Sequence, residues 1–360
     1  MTAEGPTGQR VVLRHYPEGA LRPTDFAVED FARPIPNAGE FLVQTQFVSV
    51  DPMLRLFVDA KPFGGGMPPL PLGTTIPGAA TGTVIESSHP DYKPGDAVEG
   101  RFGWQTFATS TGAGVNRVNP GLGAQEHALG IGGLPGFTAY VGLHVAGGVK
   151  PGQTFLVSGA AGAVGSAVGA LVNARGGRVV GIAGGEAKRR FLIDEVGYDA
   201  VADRHSPDFM AQLAAALPAG ADVYFDNVGS PLFAQMVAFL GRGAQVLVCG
   251  LMAQYQDAPT GPQVDNLPNV LSAVMFKGLR IQGFSQVGQD ALRPAFEAEI
   301  AALIAEGRIN PKIHVEQGIE RLPAALVNLF DASTTGKVVV RVGDPAAAAT
   351  SAQPATEDAK

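Results

Sequence analysis

The residues best suited to chemistry in this chain cluster in two glycine-containing turns. The first, FLVSGAAGAVGSAVG from Phe155 to Gly169, sets Gly159, Gly162 and Gly165 after an apolar run and at the start of a helix-like segment. Small residues there let the backbone approach a pyrophosphate, whose charge is met by the free N–H groups and positive end of the helix. The usual G-x-G-x-x-G pattern has become A-x-G-x-x-G with Ala160 first, so the strand, turn and helix context carries the reading.

The second turn is GIAGGEAKRR, Gly181 to Arg190. An NAD-binding unit keeps an Asp or Glu at the end of its second strand, about 20 residues after the glycines, to accept the ribose hydroxyls. Ala183 and Gly184 occupy that place and do neither. A 2′-phosphate needs space and cations instead. Gly184, Gly185, Lys188, Arg189 and Arg190 offer both, and Arg204, after the run GYDAVAD, adds a second source of charge. Helical neighbours such as Lys188 and Arg189 point about 100° apart, so at most one or two of these cations reach the ligand. Lys188 is the expected phosphate cation, with Arg189 and Arg190 on a solvated face. The reading is NADPH, with NAD left open by Glu186, whose carboxylate is able to swing back toward a ribose.

The elements that position these turns follow from rhythm. Residues 10–134 carry short apolar runs broken by Gly and Pro (RVVLRHY, EFLVQTQFVSV, ATGTVIES, GDAVEG), which predicts a β-rich, barrel-like module. From Pro135 the text alternates strand, glycine turn and helix: QTFLVSG, RVVGIAG, ADVYFDNVG, AQVLVCG and LRIQGF are the strands. That alternation predicts an α/β fold with a doubly wound parallel sheet over 135–308. A helix is expected around Ala295 to Glu306. Residues 309–342 return to strand-like text, KIHVEQ and GKVVVRV, and are expected to close back onto the first module, leaving the nucleotide domain as an insertion with the active site in the cleft. Residues 1–9 and the small, polar tail 343–360 are expected to be disordered.

Composition narrows the function classes. At 360 residues, two domains are expected. A net charge of −7 lacks the footprint of a general nucleic-acid binder, so no nucleic-acid partner is expected. Cys249 is the only cysteine, which excludes an internal disulfide and a multi-cysteine metal cage, and in VLVCG it reads as a buried strand residue. No apolar run reaches the ~18 residues of a membrane helix, and MTAEGPTGQR lacks the apolar core of a signal peptide. A cytoplasmic protein with no membrane partner is the expectation. His127, His144 and His314 sit apart from other ligand types and read as structural; Phe102 and Trp104 read as core or subunit-contact residues.

Taken in order, SVDPMLR (Ser49 to Arg55), LPGFTAYVGL (Leu134 to Leu143), SGAAGAVGSAVG, YFDNVGS (Tyr224 to Ser230), VCGLMAQYQ (Val248 to Gln256), IQGF (Ile281 to Phe284) and TTGKVVV (Thr334 to Val340) give the chain a resemblance to the zinc-independent medium-chain dehydrogenases/reductases. Within them it is similar to the leukotriene B4 dehydrogenase, prostaglandin reductase and 2-alkenal reductase group, over residues 10–342. The resemblance implies a Rossmann domain inserted in a GroES-like barrel domain, a homodimer, and Lys188 on the 2′-phosphate of NADPH. Arg204 stands where the group has a tyrosine, and a guanidinium keeps or strengthens phosphate binding. It further implies that Thr138, Gly162, Ala163, Val164, Gly184, Asn227, Cys249, Gly250 and Tyr255, with the backbone near Phe284 and Ser285, line the cofactor. Thr334 replaces an asparagine of the group, and Met53 replaces a tyrosine found in some relatives.

A chain without the cysteine sets of the zinc alcohol dehydrogenases is left with metal-free hydride transfer from NADPH. The resemblance implies an α,β-unsaturated aldehyde or ketone as the small-molecule substrate, with hydride added at the β-carbon. Tyr255 is the expected catalytic residue, as enolate stabiliser or proton donor to the α-carbon, because a phenol is protonated at neutral pH. Packing against the cofactor is its alternative role. Two other functions stay open: an NADPH-dependent quinone reductase, and a non-enzymatic NADPH-binding protein.

Overall fold

The computed structural model describes residues 7–60, 68–229, 231–255, 265–331 and 333–343. The N-terminal strands are β1 (Thr7–Leu13), β2 (Phe26–Ala32), β3 (Phe41–Ser49), β4 (Ala80–Ser87), β5 (Ala97–Gly100), β6 (Phe107–Ser110) and β7 (Asn116–Arg117), with a single helical turn, α1 (Arg55–Val58), after β3. β3 is buried along nearly its whole length, so both faces and both edges are covered. It pairs with β4 on one side and β6 on the other. β1 and β2 form a separate antiparallel ribbon.

Alternating strands and helices follow: α2 (Leu134–Val145), β8 (Thr154–Val157), α3 (Ala163–Ala174), β9 (Arg178–Ala183), α4 (Glu186–Arg190), β10 (Ala200–Asp203), α5 (Phe209–Ala216), β11 (Ala221–Asp226), α6 (Leu232–Met236), β12 (Leu240–Val248), α7 (Leu267–Lys277) and β13 (Arg280–Gly283). The six strands form one all-parallel sheet in the order β10-β9-β8-β11-β12-β13. Side chains alternate across it. Phe155, Val157, Val223 and Phe225 enter one core with α2 and α3, while Leu156 and Tyr224 enter the core on the opposite face. The connections change direction between β8 and β11, and that switch point opens a crevice at the strands' carboxyl ends.

After α8 (Arg293–Ala305), the chain makes β14 (Ile313–Gln317), α9 (Leu322–Phe330) and β15 (Lys337–Arg341). β15 runs antiparallel beside β3, with Val340 opposite Val48. The far end of the chain thus completes the sheet begun by β3, as the strand-like text led one to expect. The helix α9 did not stand out in that text. Its Leu322, Ala325 and Leu326 are buried in the N-terminal core, within a stretch whose text reads as strand-like. The disorder expected for residues 1–9 is corrected at its end: Thr7, Gly8 and Gln9 pair with Ala32, Phe31 and Asp30. Residues 1–6 and the tail beyond Gly343 lie outside the described residues. Trp104 and Phe102 belong to the core; the Trp104 indole donates to Ser49 O at 3.3 Å.

Candidate active site

The glycine turn bridges β8 and α3. Gly159 has φ +57°, a region costly to any side chain, and a Cβ on Gly165 would stand 2.4 Å from Gly159 O and 2.7 Å from Ala160 Cα. The turn's own backbone therefore requires Gly165. Gly162 caps α3 and is exposed, with Ala163 and Val164 half-buried behind it, so the first N–H groups of a 12-residue helix face the crevice. A cradle this shallow fits a pyrophosphate. From the other domain, Gly336 pairs with Gly162 and donates its N–H to Ala161 O at 2.8 Å, which brings Thr334 to the same turn.

Beside it, the end of β11 is organised by Asp226, fully buried. Its carboxylate accepts from Ser158 Oγ (2.6 Å), the Tyr224 hydroxyl (2.8 Å), and the N–H groups of Val228 (3.1 Å) and Gly229 (3.1 Å). Asn227 Nδ2 donates to Ser158 O at 2.8 Å. Asp226 O in turn accepts from Cys249 N (2.8 Å) and Gly250 N (3.1 Å). The carboxyl ends of β8, β11 and β12 are thus tied into one rim. In the sequence Asp226 and Asn227 end a strand at the carboxyl edge where α/β sheets place their ligands; the buried ring of donors is a tertiary fact.

Tyr255 follows a short 3-10 turn, Met252–Gln254, and its hydroxyl accepts from Leu251 N at 3.5 Å. Burial raises its phenol above the ordinary range and the neighbouring Cys249 adds to that, while the Leu251 N–H works the other way. A phenol so placed is a proton holder at neutral pH. Burial, reinforced by Asp226, pushes the Cys249 thiol up to about 12, so this cysteine is not a thiolate nucleophile. Phe284, just past β13, packs edge-on to Phe225 at 5.6 Å, and Gly142 on α2 leaves the space for both rings. Ser285 is exposed, and its hydroxyl accepts from Val287 N. The Thr138 hydroxyl donates to Leu134 O within α2 at 2.8 Å.

At the end of β9, Lys188 is half-buried while Arg189 and Arg190 are exposed and pair with Glu186, at 3.4 and 3.0 Å. Glu186 is thereby engaged on the outer face of α4. Lys188 sits close enough to Arg204 for the two charges to interact. Burial first, then Arg204, lowers its pKa, and Asp331 at the end of α9 opposes this. The two cations expected to share a phosphate do come together. Gly185 is open, with φ +86°, and a Cβ on Gly184 would meet His205 Cε1 at 2.6 Å and Arg204 Nε at 3.1 Å, so the side chains of Arg204 and His205 lie against Gly184.

Three residues of this region escaped sequence reading. His205 and Asp331 are ordinary polar residues in loops, and no spacing marks them. Lys337 carried a signal that was passed over, a lysine opening an otherwise apolar strand. It is 3% exposed and donates to Val50 O (2.9 Å) and Asp51 Oδ1 (2.5 Å), while Ser49 Oγ donates to the other Asp51 oxygen. Lys337 thus fastens the SVDPMLR segment, with half-buried Met53, beside the Gly336 contact to the glycine turn.

Among the described residues, no three His, Cys, Asp or Glu side chains gather as a metal-holding group, and no helix is long and apolar enough to cross a membrane. Residues 9–118 match the family model described as the N-terminal domain of oxidoreductase, and residues 163–303 that described as zinc-binding dehydrogenase. The chain is 36% identical over 336 residues to the NADPH-dependent curcumin reductase of Escherichia coli (strain K12), covering 93% of this chain and 96% of that one. It is 32% identical to prostaglandin reductase 1 of Oryctolagus cuniculus, covering 90% of each. The crystal structure of CurA in complex with NADPH from Vibrio vulnificus superposes with a TM-score of 0.87 at 34% identity, over 94% of this chain and 100% of that one. With this fold, these motifs and these relatives, the chain belongs to the zinc-independent medium-chain dehydrogenase/reductase family.

Proposed function

We propose that this protein is an NADPH-dependent reductase of the C=C bond of α,β-unsaturated aldehydes and ketones. The observation that carries the reading is the shared rim of the parallel sheet. At one end Arg204 lies against Gly184 after β9 and interacts with Lys188, and at the other Tyr255 accepts from Leu251 N and interacts with Cys249. The names of the curcumin and prostaglandin reductases, to which the chain is similar over nine-tenths of its length, support it. Residues 10–134 and 309–342 are assigned to the substrate domain and 135–308 to the NADPH domain.

Gly162, Ala163 and Val164 present N–H groups to the pyrophosphate. Lys188 and Arg204 hold the 2′-phosphate. Asn227, Cys249 and Gly250 on the tied rim, with Thr138, Phe284 and Ser285 nearby and Thr334 over the turn, bound the rest of the groove. NADPH supplies the hydride that adds at the β-carbon of the substrate. The Tyr255 hydroxyl donates a hydrogen bond to the carbonyl oxygen as negative charge builds there, and the α-carbon then takes a proton. Tyr255 is half-buried, and the lower local dielectric strengthens that hydrogen bond.

The test is NADPH consumption with 2-alkenals, enones and quinones, with product analysis. Saturable turnover of an enone to its saturated carbonyl is expected. Rapid turnover of a quinone with no enone product assigns the quinone reductase instead, and tight NADPH binding without turnover of either assigns a non-enzymatic binder.

A homodimer paired along β13 is part of this reading. β13 is exposed throughout and, among the described residues, pairs only with β12, while Leu267, Leu271, Met275 and Phe276 on adjacent α7 are exposed. Light scattering is expected to give twice the chain mass, and Leu271→Glu with Met275→Glu the single mass. The cytoplasm is the proposed location, where the free Cys249 thiol stays reduced; cell fractionation checks it.

A further inference from the structure

We infer that His205 is a third, titratable cation at the 2′-phosphate corner, and that it makes the preference for a 2′-phosphorylated cofactor depend on pH. This rests on the proposed NADPH site and adds to it a residue that no motif marks. A Cβ built on Gly184 would lie 2.6 Å from His205 Cε1, 3.0 Å from His205 Nε2 and 3.1 Å from Arg204 Nε. The imidazole and the guanidinium therefore lie together against bare backbone at the end of β9. That is the position from which an NAD-binding unit directs its acid at the ribose.

Asp203 sets this arrangement. Its Oδ1 accepts from Gly185 N at 3.0 Å and from His205 N at 2.9 Å, so one carboxylate oxygen joins the turn after β9 to the turn after β10. Those two N–H groups hold Asp203 below the usual carboxylate range, and it stays anionic across the pH range in which a histidine titrates. The charged groups around the ring are few. Asp203 and Arg204 come from the end of β10; Lys188 on α4 interacts with Arg204, and Asp331 acts on Lys188 from the end of α9. Glu186 is engaged by Arg189 and Arg190. Among the described residues, neither ring nitrogen of His205 makes a hydrogen bond, and the residue is exposed. The ring is free to donate to a phosphate oxygen.

Imidazole is the side chain whose charge ordinarily changes between about pH 5 and 8, and an imidazolium donates to a phosphate oxygen more strongly than a neutral ring does. A guanidinium stays charged at physiological pH, so Arg204 supplies the constant part of the preference and His205 the variable part.

The experiment is calorimetric titration of the full chain with adenosine 2′,5′-bisphosphate and with adenosine 5′-monophosphate, at about pH 6 and about pH 8, on either side of the histidine range. His205→Gln is expected to weaken the bisphosphate about 5-fold at the lower pH and less than about 2-fold at the higher, with the monophosphate unchanged, the size of one exposed charge-assisted hydrogen bond. His205→Lys is expected to keep the low-pH affinity at both pH values. Equal losses at both pH values, or equal losses on both ligands, assign His205 a packing role and overturn the inference. Lys188→Ala with Arg204→Ala separates the two levels. If that pair leaves bisphosphate binding unchanged, the phosphate site itself is wrong; if it abolishes the preference while His205→Gln does nothing, only the role of His205 falls.

Discussion

The two phosphate-binding ends of the proposed groove are built from different materials. At the pyrophosphate end the contacts are backbone: the turn of Gly159 to Gly165 and the first N–H groups of α3, with Gly336 pressed against them from the other domain. At the proposed ribose end they are side chains: Arg204 and His205 after β10, packed against Gly184, and Lys188 from α4, close enough to Arg204 for their charges to interact. Backbone sites depend on glycines that nothing else replaces, whereas side-chain sites depend on charges that several residues share. The first kind fails abruptly and the second by degrees.

Gly165→Val tests the abrupt failure. Its Cβ would stand 2.4 Å from Gly159 O, so the turn must open, at an expected cost of about 3 kcal/mol in stability and the loss of NADPH binding. Thermal unfolding and calorimetry check it, and unchanged values would show that the turn relaxes freely. Lys188→Ala with Arg204→Ala tests failure by degrees. Two charge-assisted contacts are removed, so the NADPH dissociation constant is expected to rise about 100-fold while that for NADH stays within about twofold. Equal losses for both cofactors would remove the distinction between the two ends.

Tyr255→Phe probes the rim away from both phosphates. Turnover of an enone is expected to fall about 100-fold, the lower end of the range for loss of one donor to a developing oxyanion, with NADPH affinity unchanged. The smallest effect concerns pH. Burial and Arg204 lower the Lys188 pKa, so Lys188 gives up its proton at a lower pH than a free lysine. NADPH affinity should therefore begin to fall earlier on the alkaline side than NADH affinity does. Arg204→Gln removes the neighbouring charge and should move that fall to higher pH, by a shift read from the binding profile.

Much of the fold was readable in the chain because its cause is local. The parallel sheet announced itself through FLVSGAAG, RVVGIAG, YFDNVG and VLVCG, each a buried strand ending in small residues, and the absence of an acid at Gly184 pointed to a phosphate. What escaped was non-local. The helix α9 owes its stability to burial of Leu322, Ala325 and Leu326 in a core most of whose other members, from Val11 to Val115, lie far earlier in the sequence. Asp226 appeared as one polar residue at a strand end, and the donors that surround it come from β8, β11 and the following loop. His205 gave no signal because only the pairing of β9 with β10, Asp203 beside Ala183, carries it to Gly184.

The sequence by itself determined the parallel nucleotide sheet, the glycine turn, the choice of a cationic ribose corner and the return of the last strands to the first module. These follow from periodicity, from the conformations only glycine adopts, and from the charge a residue carries wherever it lies. Tertiary structure alone decided which charges act together. It turned Arg189 and Arg190 outward to Glu186, kept Lys188 beside Arg204, set His205 over Gly184 and placed Lys337 under Asp51. Electrostatic interaction depends on distance and burial, and neither exists until strands distant in the chain have paired.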